Sequence, residues 1–233
     1  MPDLAANLVA ASGERELIEA LGRWLEGALQ GRGYSWSGRQ QALERADGPR
    51  REMMNFYSSH KNSQSGSIRF MLQSLEVNDS RLLEWRLSNP ELTIERPSSA
   101  EGIVCYTVFN ELGRTPANWW LDFGNAERRL ILANSLMDAI RDMALPWFKE
   151  SVFSAGSFES VSDRLIVKSA VDLMEYSFLV GGASGAARFL DRVYGVVDMH
   201  AFEEGAQMAS IGQKPNWKSG QAIGWSSKIL GLI

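Results

Sequence analysis

Two histidines, His60 and His200, and one cysteine, Cys105, are the chain's entire supply of imidazole and thiol. His60 stands in Ser58-Ser59-His60-Lys61-Asn62, where an imidazole beside hydroxyls and a cation could serve as a general base. Serine hydrolysis also needs an orienting carboxylate and an oxyanion hole, and no Gly-x-Ser-x-Gly elbow occurs. His60 is therefore expected to be an exposed histidine at a hairpin tip. His200 follows Val197-Asp198-Met199 and reads as a polar residue at a helix terminus. A zinc site would need both histidines plus Cys105 or carboxylates, and neither Cys-x-x-Cys nor His-Glu-x-x-His is present. No metal or cofactor is expected, although a Mg²⁺ site needs only one or two carboxylates and stays open. Cys105 lies in the apolar run Ile103-Val104-Cys105-Tyr106 and is expected to be a buried, inert thiol.

A glycine run, Gly181-Gly182-Ala183-Ser184-Gly185, could cradle phosphate if a strand preceded it and a helix followed. It lacks the Gly-Lys-Ser/Thr ending of a P-loop and the Gly-x-Gly-x-x-Gly spacing. The residues before it, Tyr176 to Val180, fit helical periodicity, so a turn between antiparallel helices accounts for it better. The carboxylates are scattered, and no pair has a spacing that forces two acids onto one site.

The aromatics are more informative. Eight tryptophans among 233 residues is a high count. Trp119-Trp120 in a strand would send adjacent side chains to opposite faces. Exposed Trp and Tyr make binding hot spots, so Trp119, Trp120, Tyr57 and Trp85 are the candidate partner-binding residues, with Glu84 and Glu91 as charged contributors. The formal net charge of −4 disfavours nucleic acid and an anionic membrane and suits a basic protein partner. No apolar run approaches the roughly 20 residues that span a bilayer, and the N-terminus has no signal-peptide pattern. A cytoplasmic location is expected, and an oligomer is left open.

The elements that must carry these residues are legible. Ser12 can cap a helix whose stripe is Leu17, Leu21, Trp24, Leu25, Ala28 and Leu29, ending at Gly31 and Gly33. Strands follow at Tyr34–Ser37 with Gln41–Arg45, at Arg51–Ser58, and at Ile68–Val77 with a bulge before Leu75. Asp47-Gly48-Pro49 is a turn, and 62–66 reads as a polar hairpin loop. A short helix, Ser80–Leu87, ends at Asn89-Pro90. After a loop at 97–99, strands resume at Ile103–Phe109 and Trp119–Phe123, joined by 113–118. Residues Ala126–Phe148 place Leu130, Ala133, Met137, Ile140 and Ala144 on one helical face, stopping at Pro146-Trp147-Phe148. Beyond a linker at 153–160 come helices from Ser162 and from Ala186, another at Met199–Ala209, and an irregular, aromatic tail at 211–233. That tail is expected to pack back on the body or on a partner. The fold class is α+β: an N-terminal helix, an antiparallel sheet covered by a long helix, then a C-terminal helical segment. Residues 1–148 form the sheet domain, and 149–233 form a helical extension, separate or continuous with it.

The first two-thirds has a familiar order. A helix ends near Gly33-Tyr34, strands run through Asn55-Phe56-Tyr57, Phe70-Met71-Leu72 and Trp119-Trp120-Leu121, and a helix ends in Ala144-Leu145-Pro146-Trp147-Phe148. Over residues 14–148 this resembles small bacterial domains of unknown function, some of which look like toxin-immunity or phage-defence accessory proteins. The resemblance implies a non-enzymatic binding protein, most simply an immunity protein that occludes the active site of a cognate toxin. It implies no catalytic residues. Two alternatives stay open: a hydrolase or nucleotide-handling enzyme around His60 or Gly181–Gly185, and a structural subunit docking through 211–233.

Overall fold

A computed structural model describes residues 3–62, 67–95, 102–113, 119–151, 161–217 and 220–233. The expected loops at 63–66, 97–99 and 114–118 and the linker at 153–160 lie outside the described residues. The chain is α+β and divides into two compact units. One comprises Met1–Glu76 and Thr107–Phe148, the other Val77–Tyr106 and Lys149–Ile233.

The first unit begins with two helices, α1 (Leu4–Ala10) and α2 (Gly13–Ala28). The sequence reading contained only the second. Asp3 caps α1, its carboxylate accepting the Ala6 amide at 3.0 Å. Ser12 precedes α2 but makes no side-chain cap. Instead Glu16 accepts both the Ser12 amide (2.8 Å) and hydroxyl (2.9 Å), which holds the Glu16 carboxyl below its ordinary pKa. Leu17, Leu21, Leu25 and Leu29 are buried as their spacing requires.

The strands are β1 (Ser35–Ser37), β2 (Ala42–Asp47), β3 (Arg50–Ser58), β4 (Arg69–Asp79), β5 (Ile103–Val108) and β6 (Leu121–Asp122). Their order in the sheet is β1-β2-β3-β4-β5, with β6 also pairing with β4. β1 pairs antiparallel with β2 and β2 with β3, as their short connections require, and β4 pairs antiparallel with β6 across a much longer connection. In β4 the buried residues shift from even positions (Phe70, Leu72) to odd ones (Leu75, Val77). An extra residue of the kind a bulge supplies accounts for that change of phase.

On the core face Trp36 meets Phe56 at 5.7 Å and Phe70 meets Phe123 at 5.8 Å between ring centroids. Tyr34 meets Phe148, at the end of the closing helix, at 6.2 Å. Beside it, buried Glu52 accepts the Tyr34 hydroxyl at 2.6 Å and pairs with Arg45 (2.7 Å) and Arg50 (3.2 Å). Burial and the bond to Glu52 push the Tyr34 phenol far above its usual pKa.

The closing helix runs through Pro146 and two residues past the expected end at Phe148. α4 (Arg129–Ala139) passes through a π-helical turn, Ile140–Ala144, into α5 (Leu145–Glu150). A helical proline lacks an N–H and crowds the carbonyl four residues earlier. Here that carbonyl belongs to Asp142, inside the widened turn, so the helix continues through the proline. At the start of α4, buried Arg129 donates to four backbone carbonyls: Phe123 (2.9 Å), Leu8 (3.3 Å), Val9 (2.6 Å) and Ala11 (2.8 Å). One guanidinium thus holds the C-terminal end of α1, where carbonyls lack helical partners.

The second unit contains α3 (Ser80–Ser88), α6 (Asp163–Val193), α7 (Met199–Ser210) and α8 (Gln221–Ile229). α6 is interrupted at Ser169 and at Gly182, whose φ of 59° and ψ of −161° only glycine adopts readily. A straight helix would carry Gly185 about 12 Å beyond Ser177. Instead a Cβ on Gly185 would lie 2.9 Å from the Ser177 carbonyl. The glycine run therefore reverses the chain between two helical segments. The tail at 211–233 is not irregular throughout, since α8 lies within it. It packs back on its own unit: Ala222 and Trp225 share a buried cluster with Ile94. A Cβ on Gly205 or Gly224 would come within 1.9 Å of backbone oxygen on the opposite helix, so α7 and α8 touch through bare backbone.

Candidate interaction surface

β3 buries Met53 as well as Met54 and Phe56, and leaves Tyr57 45% exposed on the face opposite Phe56. β6 is short, but its register on β4 is fixed by Arg69 opposite Asp122 and Phe70 opposite Leu121. Leu121 and Phe123 are buried, and Asp122 points out. The two tryptophans before β6 have different surroundings, as their alternation requires. Trp119 stacks on buried Phe109, with centroids 6.1 Å apart and planes 25° apart. Trp120, half-buried, meets exposed Tyr57 at 6.0 Å and 55°.

Polar groups flank this ring pair. The Asp122 carboxylate accepts the Ile68 and Gly124 amides at 3.1 and 3.0 Å through Oδ1. Its Oδ2 lies 3.8 Å from Arg69 Nε, and both side chains are nearly half exposed. Further along β3 the Asn55 amide donates to Ser74 Oγ (3.1 Å) and Glu76 Oε1 (2.7 Å). An aromatic centre with a charged and amide-bearing margin is the anatomy of a protein-binding hot spot.

The remaining candidates belong to the second unit. Trp85 is half-buried, 6.1 Å from the Phe178 ring. Glu84 and Glu91 are exposed. The structure thus joins Tyr57 to Trp120, stacks the equally half-buried Trp119 on Phe109, and places Trp85, Glu84 and Glu91 in the other unit.

The groups weighed for catalysis have structural surroundings. His60 is exposed just after β3. Its neighbour Ser59 donates its amide to the Arg69 carbonyl at 3.0 Å. His200 is 81% exposed at the start of α7, 3.4 Å from Glu204. Cys105 is fully buried. Among the described residues no three His, Cys, Asp or Glu side chains gather as metal ligands would. A groove of about 860 Å³ runs between α1 and α2, lined by Leu4, Asn7, Ala10, Glu16, Ala20 and Arg23 among others. Its Glu16 is held by Ser12, and its Arg23 by Glu19 and Glu26.

Sequence reasoning missed the polar interior of the second unit. Arg86, on the same face of α3 as Leu82, has a side chain 2% exposed. It donates to Asp172 Oδ1 at 2.6 Å and Glu175 Oε2 at 2.7 Å. The available signal was an Asp and a Glu at i,i+3 spacing inside the apolar run 165–178. Asp79 caps α3 through the Arg81 amide (2.9 Å), pairs with the Arg81 guanidinium (2.7 Å) and accepts the Tyr176 hydroxyl (3.2 Å). Burial pushes its carboxyl up, but the Arg81 bonds and charge and the Tyr176 bond outweigh that, leaving it below the usual range.

No protein-family model, curated protein or solved structure matches this chain. Among the described residues no helix is long and apolar enough to cross a membrane.

Proposed function

We propose that the chain is a non-enzymatic cytoplasmic binding protein of bacteria, an immunity protein that neutralises a cognate toxin by covering its active site. The observation that carries this reading is the Tyr57–Trp120 pair: a 45% exposed phenol against a half-buried indole on an outward sheet face. Such rings contribute contact area at little cost in side-chain entropy and keep a polar end for hydrogen bonding. The interior ionisable groups are engaged in holding the fold, at Glu52, Arg86 and Arg129, which leaves recognition to the surface. The net charge of −4 favours encounter with a basic partner.

Co-expression with each toxin domain encoded beside the gene tests the proposal. Growth is restored by the wild-type chain with one of them. It is not restored by the double variant Tyr57→Ala, Trp120→Ala when that variant keeps its circular dichroism spectrum. Failure of the wild-type chain to protect against every such toxin refutes the immunity reading.

A further inference from the structure

Resting on the reading of this face as a contact surface, we infer that it receives an arginine of the partner, laid against Trp120 and Tyr57 and paired with Asp122. Asp122 follows Trp120 by two residues. In extended chain that puts the two on one face, about 6.6 Å apart along the strand. An arginine can span that distance, its plane against a ring while its N–H groups reach a carboxylate. Cations bind ring faces within about 6 Å of the centroid.

The same unit contains this arrangement elsewhere, on a buried ring and carboxylate with a partly exposed arginine. The Arg45 guanidinium sits 5.1 Å from the Tyr34 ring centroid while its Nη2 lies 2.7 Å from Glu52. On the surface the ring and the carboxylate are present, and Arg69, paired with Asp122 among the described residues, does not complete the motif. Arg69 reaches Asp122 only at 3.8 Å, with both side chains nearly half exposed. Pairs of that kind contribute little and exchange readily. Oδ1 is committed to the Ile68 and Gly124 amides, so Oδ2 is the oxygen that a guanidinium would take. A lysine could supply charge but not the planar fork that stacks and pairs at once, so the inferred occupant is arginine.

The test is an NMR titration of the ¹⁵N-labelled full chain with a capped octapeptide alternating glycine and arginine, and with its lysine and citrulline counterparts. The Trp120 indole resonance is assigned by its loss in Trp120→Phe. The arginine peptide is expected to shift that resonance saturably. The lysine peptide should bind at least threefold more weakly, and the citrulline peptide should give no saturable shift. Asp122→Asn keeps an Oδ1 acceptor for the two amides, so the turn survives, and it should weaken the arginine peptide at least fivefold. Arg69→Gln frees Asp122 and should leave binding equal or stronger. A Trp120 resonance that stays put at 10 mM peptide overturns the inference. So does a citrulline peptide that binds as well as arginine, or an Arg69→Gln variant that loses binding. A saturable arginine response in a chain that neutralises no toxin retains this site while removing the immunity reading. Toxin neutralisation without any peptide response does the opposite.

Discussion

Replacing Arg86 by methionine should be the most damaging single change in the second unit. The guanidinium is 2% exposed and lies between two carboxylates, Asp172 at 12% and Glu175 at 0% exposure, with contacts of 2.6 and 2.7 Å. Methionine fills much of the same volume but carries no charge, so two buried anions lose the cation between them. Removing one partner of a buried ion pair typically costs about 3–5 kcal/mol. With a urea slope of about 2 kcal/mol per molar, the unfolding midpoint falls by about 2 M. The assay is urea unfolding followed by circular dichroism and by tryptophan fluorescence, the two probes checking for a second transition. Adding Glu175→Gln removes one of the stranded charges, so the double variant should be more stable than Arg86→Met alone. A midpoint shift below about 0.5 M would equate this contact with an exposed pair of about 1 kcal/mol or less. It would refute the view that the buried network ties α3 to α6.

Arg129→Met should destabilise the first unit by about 1.5–3 kcal/mol, as expected for losing charge-assisted hydrogen bonds, and thermal unfolding measures it. If the change falls within about 0.5 kcal/mol, the four-carbonyl contact does not hold α1. Gly224→Ala puts a methyl where a Cβ would lie 1.9 Å from the Phe202 carbonyl oxygen, so α7 and α8 must separate at a cost of about 1–3 kcal/mol. Faster hydrogen exchange confined to those helices is the expected readout, and unchanged exchange contradicts the close contact. Asp79 has a depressed folded-state pKa, so its contribution is fully present above its unfolded value near 4. It is lost as pH falls below that through the folded value. Asp79→Asn should therefore lower stability at pH 7 and flatten its decline below about pH 4, whereas a wild-type slope in that variant would assign the acid sensitivity elsewhere.

Local patterns carried much of this architecture. The period of α2 and the alternation in β4 mark which residues face inward, because each buries one side, whereas β3 buries Met53 as well as Met54 and Phe56. The shift of phase before Leu75 is visible for the same reason. Two elements escaped. α1 is only seven residues long and is held by an arginine more than a hundred positions away. α8 contains Gly224, Ser226 and Ser227, residue types that usually mark loops, yet here Gly224 lets two backbones touch. The π-helical turn before Pro146 was not legible, since Leu130, Ala133, Met137, Ile140 and Ala144 keep ordinary helical spacing into it. On the candidate surface, alternation showed that Trp119 and Trp120 diverge. It could not show that Tyr57 is the residue Trp120 meets, since that depends on strand order. Nor could it show that segment 77–106 belongs with the C-terminal helices, because the link runs through Arg86 and partners 86 and 89 positions distant.

The most direct measurement is the dissociation constant between this chain and the toxin we propose it neutralises, for wild type, Tyr57→Ala, Trp120→Ala and Ile131→Ser. Ile131 is 67% exposed on α4 and serves as a surface control. A hot-spot ring contributes about 2 kcal/mol or more, which is about 30-fold in affinity. The account predicts that loss for each aromatic variant and a change of less than about threefold for Ile131→Ser. Aromatic variants that bind like wild type while Ile131→Ser loses affinity would place the contact elsewhere and contradict it.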